Sequence, residues 1–229
     1  MKAWLCETLD GIGAMQFREL PTPEPKPGEV RIAVRAASLN FPDLLIVQGK
    51  YQFKPALPFV PGAEYAGTVD ALGKGVTTLK IGQPVAAIAG TGGFATHACV
   101  AASQVLPLPP GFALEDAAAF AFTYGTSHHA LIDRAALQPG ETVLVLGAAG
   151  GVGTAALQIA KAAGARVIAA ASSDEKCALC KALGADETLN YSSANVRDAL
   201  KALTGGKGPD VVYDPVGGDL AEPVFRSIA

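Results

Sequence analysis

Charged side chains are scarce: only 17% of the 229 residues are Asp, Glu, Lys or Arg, while 50% are apolar. That balance excludes a disordered, self-repelling chain and points to one large or two small folded domains. There is no basic block either, since 18 Lys and Arg face 21 Asp and Glu for a net charge of −3. Nucleic acid and anionic membrane surfaces are therefore not expected partners. Long apolar runs are missing: no window approaches a membrane span, and the opening MKAWLCETLDG has no apolar signal core. Cys6, Cys99, Cys177 and Cys180 lack the rhythm of a disulfide framework or a zinc lobe. A reducing, cytoplasmic setting is the expectation. No repeat or low-complexity tract is visible beyond an enrichment in alanine.

What the chain has in quantity is glycine and proline, 26 and 16 residues. Up to about Pro110 they punctuate short stretches that read as strands. These are Lys2–Cys6, Met15–Glu19, Glu29–Ser38, Tyr65–Leu72, Pro84–Ile88, Phe94–Val100 and Gln104–Pro107. The segment Pro21–Gly28 carries four prolines and reads as a rigid loop. So many short strands predict a β-barrel-like lobe. Its one clear helix, Pro42–Val47, is announced by Asn40-Phe-Pro-Asp43.

Leu114–Phe122 and Thr126–Ala135 then read as two helices joined through Tyr124-Gly125. From Gln138 the rhythm becomes strand then helix. The pairs are Thr142–Leu146 with Gly151–Ala163, Arg166–Ala170 with Asp174–Leu183, Glu187–Asn190 with Asn195–Leu203, and Asp210–Asp214 with Leu220–Ile228. Such alternation predicts a parallel sheet with crossover helices.

The first of these units is the focal stretch. Val143–Leu146 is a short apolar run suited to a strand buried on both faces. It breaks at Gly147-Ala-Ala-Gly-Gly-Val-Gly153, after which apolar residues recur at helical spacing. Strand, glycine turn and helix aim free N–H groups and a helix dipole at a phosphate. Gly150 and Gly153 occupy the second and third glycine positions of G-x-G-x-x-G, while Ala148 stands at the first. Taken alone, the turn also reads as a simple connection.

Several motifs stand in one order along the chain: Asn40-Phe-x-Asp43, Gln48-Gly-x-Tyr51, Pro61-Gly-x-Glu64-x-x-Gly67, Thr123-Tyr-Gly-Thr126, the glycine turn, and Asp214-Pro-Val-Gly217. Together they resemble the medium-chain dehydrogenase/reductase superfamily, and more closely its zinc-free quinone oxidoreductase, zeta-crystallin-like branch. The resemblance implies an α/β fold: a GroES-like β-barrel lobe (1–122, substrate and catalysis), then an incomplete doubly wound Rossmann sheet (123–229, NADP-binding). It places Asn40 and Thr123 by the nicotinamide, with Asp43 and Tyr51 lining the substrate cleft. Ala149, Gly150, Gly151 and Val152 would hold the pyrophosphate, with Tyr191 at the adenosine end. A second tyrosine of some relatives is Leu45 here. Each residue keeps a plainer reading. Asn40 suits a helix cap, Asp43 a first-turn charge, and Tyr51 or Tyr191 a packed aromatic.

Zinc-dependent relatives carry a Cys near Asn40 and a His where Ala63 stands, so no metal is expected. His128 and His129 point about 100° apart on a helix and are not expected to converge on one ligand. Cys177-x-x-Cys180 lies inside a helix, away from the N-terminus that would activate a thiolate. NAD selection normally needs a carboxylate at the end of the second strand. Here Ala171 is followed by Ser172-Ser173-Asp-Glu-Lys176. Ser172 and Lys176 suit a 2′-phosphate, and Ser172-x-x-Glu175 equally suits a capping box.

The expected activity is hydride transfer from NADPH to a quinone or electron-poor enone, with Asn40, Asp43 and Tyr51 as the catalytic candidates. The alternatives are reduction of α,β-unsaturated acids or acyl thioesters, and a non-catalytic nucleotide-binding or structural role. Family members continue further and form homodimers, so the chain reads as a truncated form whose edge strand, Asp210–Asp214, is exposed.

Overall fold

A computed structural model describes residues 1–229, and the chain divides into two units, Met1–Phe122 and Thr123–Ala229. The first holds β1 (Lys2–Leu5), β2 (Gln16–Glu19), β3 (Glu29–Ala37), α1 (Phe41–Ile46), β4 (Glu64–Leu72), β5 (Pro84–Ile88), β6 (His97–Ala101), β7 (Val105–Pro107) and α2 (Leu114–Ala117). β1 pairs with β2, and the other five strands form an antiparallel sheet in the order β6-β3-β4-β5-β7. Alternation along the strands sends Val30, Ile32, Tyr65, Val69, Val85 and Val100 into one core.

Strand β6 begins at His97 rather than Phe94. The preceding residues are taken up by β1, with Trp4 N–H donating to Phe94 O (2.9 Å) and Thr96 N–H to Lys2 O (2.9 Å). The expected helix Leu114–Phe122 is broken, and the expected joint at Tyr124-Gly125 is helical. The Phe122 N–H donates to Glu64 Oε1 (2.7 Å), a bond that takes it out of any helical ladder continuing from α2. A new helix, α3 (Ala121–His128), runs through Gly125 into a π-helical turn, His129–Arg134.

The second unit continues with β8 (Thr142–Leu146), α4 (Gly151–Ala162), β9 (Arg166–Ala171), α5 (Asp174–Ala182), β10 (Glu187–Asn190), α6 (Val196–Leu203), β11 (Val211–Tyr213) and α7 (Ala221–Phe225). Its sheet is parallel, in the order β10-β9-β8-β11. Successive residues of the inner strands bury on opposite faces. Val143, Val145, Val167 and Ala169 pack with α4 residues Ala156, Leu157 and Ala160. Leu144, Leu146, Ile168 and Ala170 pack with Val196 and Leu200 of α6 and Val224 of α7. A sheet apolar on both faces is why these strands read as unbroken apolar runs.

One polar atom in the first core has no partner. The Tyr65 hydroxyl is buried without a hydrogen bond, and burial pushes its pKa up. Tyr65→Phe is expected to stabilise the protein by about 1 kcal/mol. Thermal or urea denaturation checks this; a clear loss of stability would show that the hydroxyl is satisfied in solution.

Candidate functional site

The turn after β8 explains its own sequence. Gly147 takes a left-handed φ of 59°, so it makes the sharp turn one residue before the place where Ala148 interrupts the fingerprint. A Cβ on Gly153 would lie 2.4 Å from Gly147 O and 2.7 Å from Ala148 Cα. Only glycine lets α4 start this close to the end of β8. The helix opens at Gly150 with no side-chain cap and no acidic residue in its first turn. Its first N–H groups thus have no intrahelical acceptor. Gly150 and Gly151 are exposed there, Val152 is half-buried, and Ala149 packs partly against the core. A Cβ on Gly151 would come within 3.2 Å of Thr123 Cγ2, so Thr123 stands against the turn.

Ser127 and Tyr213, which carry no motif signal, and Val216 of the Asp214-Pro-Val-Gly217 motif complete this region. Buried Ser127 donates to Val152 O (2.7 Å), and the Tyr213 hydroxyl donates to Ser127 Oγ (3.1 Å). Val216 lies over the turn, where a Cβ on Gly147 would reach its Cγ2 at 2.8 Å. These contacts tie α3 and the end of β11 to the start of α4. The β8/β11 boundary is where the strand order reverses, the place where open α/β sheets bind ligands.

Beyond β9, Lys176 Nζ donates to Ser172 Oγ at 3.0 Å. The residue capping α5 is Ser173, whose hydroxyl accepts from Lys176 N–H (3.3 Å), so Ser172 is not the cap. Ser192 Oγ donates to Ser172 O (2.9 Å). Tyr191 N–H donates to Ala171 O (3.1 Å), while its ring packs beside the α6-side core. Ser172, Lys176 and the end of β10 are therefore gathered at one edge, without a carboxylate closing β9.

In the first unit, Asn40 is the N-cap residue of α1. Its Nδ2 donates to Ser38 Oγ (2.8 Å) and Glu64 Oε2 (3.2 Å). Asp43 is buried, accepting from Asn40 N–H (2.9 Å) on Oδ2 and Ala63 N–H (2.9 Å) on Oδ1. Burial pushes its carboxyl above the usual range, against the lowering effect of these N–H groups. Asp43 thus staples the loop at Ala63 to α1. Both residues line a cleft of about 790 Å³ walled by Trp4, Met15, Phe41, Leu44, Val47 and Phe94. Tyr51 does not line it; its ring packs beside Cys6, Ile46, Val47 and Phe59.

His129 Nδ1 lies 3.0 Å and His128 Nδ1 4.0 Å from Asp133, so both histidines do reach one carboxylate. Cys177 and Cys180 are buried, and burial raises both thiols. No group of three or more His, Cys, Asp or Glu is placed to hold a metal ion.

Two families match the two halves of the chain: "Alcohol dehydrogenase GroES-like domain" over residues 26–110 and "Zinc-binding dehydrogenase" over residues 151–229. The bovine "Quinone oxidoreductase-like protein 2" is 41% identical over 243 residues, spanning 100% of this chain and 70% of that protein. The chain belongs to the medium-chain dehydrogenase/reductase superfamily. The superfamily likeness extends to solved structures. The Thermus thermophilus quinone oxidoreductase, described with its NADPH complex, is 40% identical, with a TM-score of 0.86 over 100% of this chain and 71% of its own. The Escherichia coli quinone oxidoreductase complexed with NADPH is 31% identical, with a TM-score of 0.93 over 100% of this chain and 70% of its own. The GroES-like lobe and the Rossmann-type parallel sheet are thus those of this superfamily.

The Gly153 contact makes a direct prediction. Gly153→Ala is expected to cost about 1–3 kcal/mol through overpacking against backbone. Gly125→Ala, helical and with nothing within 4 Å of its added Cβ, should be neutral or stabilising by up to about 1 kcal/mol. Thermal melts of the two variants decide it; equal effects would show that Gly153 is not held by close packing.

Proposed function

We propose that the chain is an NADPH-dependent oxidoreductase that reduces a neutral, apolar acceptor, a quinone or an enone, without zinc. The observation that carries the cofactor choice is the Lys176–Ser172 pair beyond β9, where a carboxylate would select NAD. The second unit fits a dinucleotide, because the close approach at Gly153 leaves the start of α4 bare. When bound, NADPH supplies the hydride.

The chain's own part is to bind, orient and exclude water. Ala149, Gly150, Gly151 and Val152 offer backbone to the diphosphate, and Ser127 holds Val152 in place. Ser172 donates a hydroxyl and Lys176 a charge to the 2′-phosphate, with Tyr191 flanking the adenosine end and Thr123 the nicotinamide end. The relatives named for quinone reduction and solved with NADPH support this reading.

The acceptor class follows from the cleft of the first unit. Its walls are apolar or aromatic, Asn40 and Asp43 are its polar side chains, and no Lys, Arg or His lines it. A carboxylate or a phosphate-bearing thioester would find no counter-ion there. Asp43 spends both oxygens on backbone N–H groups, which gives it a positioning role. Tyr51 packs away from the cleft lining, which supports solvent as the source of the proton. Ala63 offers only a methyl group where a zinc ligand would be needed. All four thiols are free, in keeping with a reducing compartment such as the cytoplasm, and no helix is long and apolar enough to cross a membrane.

Two measurements test these assignments. Lys176→Ala should weaken NADPH about 10–100-fold, as expected for loss of a charge-assisted hydrogen bond, and leave NADH within about twofold. Equal losses would remove the 2′-phosphate assignment. In a panel read by loss of nicotinamide absorbance, 1,4-quinones and enones should exceed 2-enoic acids and 2-enoyl thioesters by about 100-fold in kcat/KM. Comparable rates would move the acceptor to the acids. NADPH-dependent stabilisation without turnover of any acceptor would make the chain a binding protein.

A further inference from the structure

Asn190, the last residue of β10, pairs in register with Ala171, the residue before Ser172. It therefore sits beside the strand end at which the choice between the two nicotinamide dinucleotides is made. Its side-chain amide is committed at both ends. The Oδ1 accepts from Ser192 N–H (3.0 Å), and the Nδ2 donates to Asp174 Oδ1 (2.7 Å). Turning the amide over would set its NH2 against the Ser192 N–H, donor against donor. What Asn190 presents to α5 is thus a donor, and what that donor holds is a carboxylate.

Asp174 is the first residue of α5, where a negative charge suits the helix dipole. It is exposed and stands two residues from both Ser172 and Lys176. A carboxylate free to swing at that point would oppose a 2′-phosphate, because like charges a few ångströms apart repel even near a protein surface. Lys176 is poorly placed to restrain it, since residues two apart on a helix do not face each other. Its Nζ donates to Ser172 Oγ instead. The restraint on Asp174 comes across the sheet edge, from Asn190.

We propose that Asn190 is a specificity-determining residue that acts through Asp174, turning its carboxylate toward β10 and away from the phosphate position at Ser172 and Lys176. This rests on the NADPH reading above and adds to it a residue that touches neither the phosphate nor Lys176. Dissociation constants for NADPH and NADH, followed by nicotinamide fluorescence at low salt and at about 1 M salt, provide the test; at the higher salt charges are screened within about 3 Å. Asn190→Ala should weaken NADPH about fivefold at low salt and leave NADH within about twofold. The NADPH loss should fall below about twofold at high salt, and adding Asp174→Asn should bring NADPH back to within about twofold of the wild-type chain. Asn190→Asp keeps an acceptor for Ser192 N–H while repelling Asp174, should weaken NADPH at least as much, and replaces the alanine variant if that does not fold. A loss shared equally by both dinucleotides, indifferent to salt or not reversed by Asp174→Asn would show that Asn190 only shapes its loop, and overturns the proposal. An unchanged NADPH affinity overturns it as well. In each of these cases the cofactor reading stands while the wild-type chain prefers NADPH. A wild-type chain that binds NADPH no better than NADH overturns that reading and the role of Asn190 with it.

Discussion

Between the end of β8 and the start of α4 there is no room for a side chain. A single Cβ at Gly153 would press into the carbonyl of Gly147, and the rest of the second unit is arranged around that closeness. Because α4 begins against the strand end, its unpaired N–H groups open just past the sheet, where the strand order reverses. A positive helix end with no acidic residue in its first turn attracts an anion through dipole and donors together. Ser127 and Tyr213 extend the constraint, since their hydrogen bonds hold the Val152 carbonyl from α3 and β11.

The first unit solves a different problem, that of burying carboxylates. Glu64 and Asp43 are withdrawn from water, which is costly unless their oxygens are met by donors. Both are met, Asp43 by backbone N–H groups and Glu64 by one N–H, one hydroxyl and one amide. The same bonds shape the chain: Asp43 ties α1 to the loop at Ala63, and Glu64 removes Phe122 from a helix that would otherwise run on from α2. A buried polar network of this kind sets orientation more than it adds stability. Its consequence is an Asn40 whose amide is held at the rim of an apolar cleft.

Legibility followed the kind of signal available. Period-two alternation and continuous apolar runs placed the strands within a few residues, because burial on one face or both leaves a local pattern. The helix boundary at 118–126 was misplaced, because what breaks it is a hydrogen bond from a residue 58 positions away. His128 and His129 were not expected to converge on one ligand; His129 Nδ1 lies 3.0 Å from Asp133 and His128 Nδ1 4.0 Å from the other oxygen of that carboxylate. Of the residues tied to the candidate sites, Ser38, Ser127 and Tyr213 carry no motif, so their contacts appear only in three dimensions.

The sequence by itself determined the superfamily, the two-part architecture, the glycine turn and a β9 that ends without a carboxylate, because each is written in residues near one another along the chain. Only the tertiary structure decided that Gly147 does the work of the missing first glycine, that Ser173 rather than Ser172 caps α5, and that Tyr51 packs outside the cleft lining. It also decided that buried Glu64 accepts hydrogen bonds from Ser38, Asn40 and Phe122. Those outcomes depend on which atoms come within 3 Å of one another across folded backbone, and distance in space between remote segments leaves no mark in the order of residues.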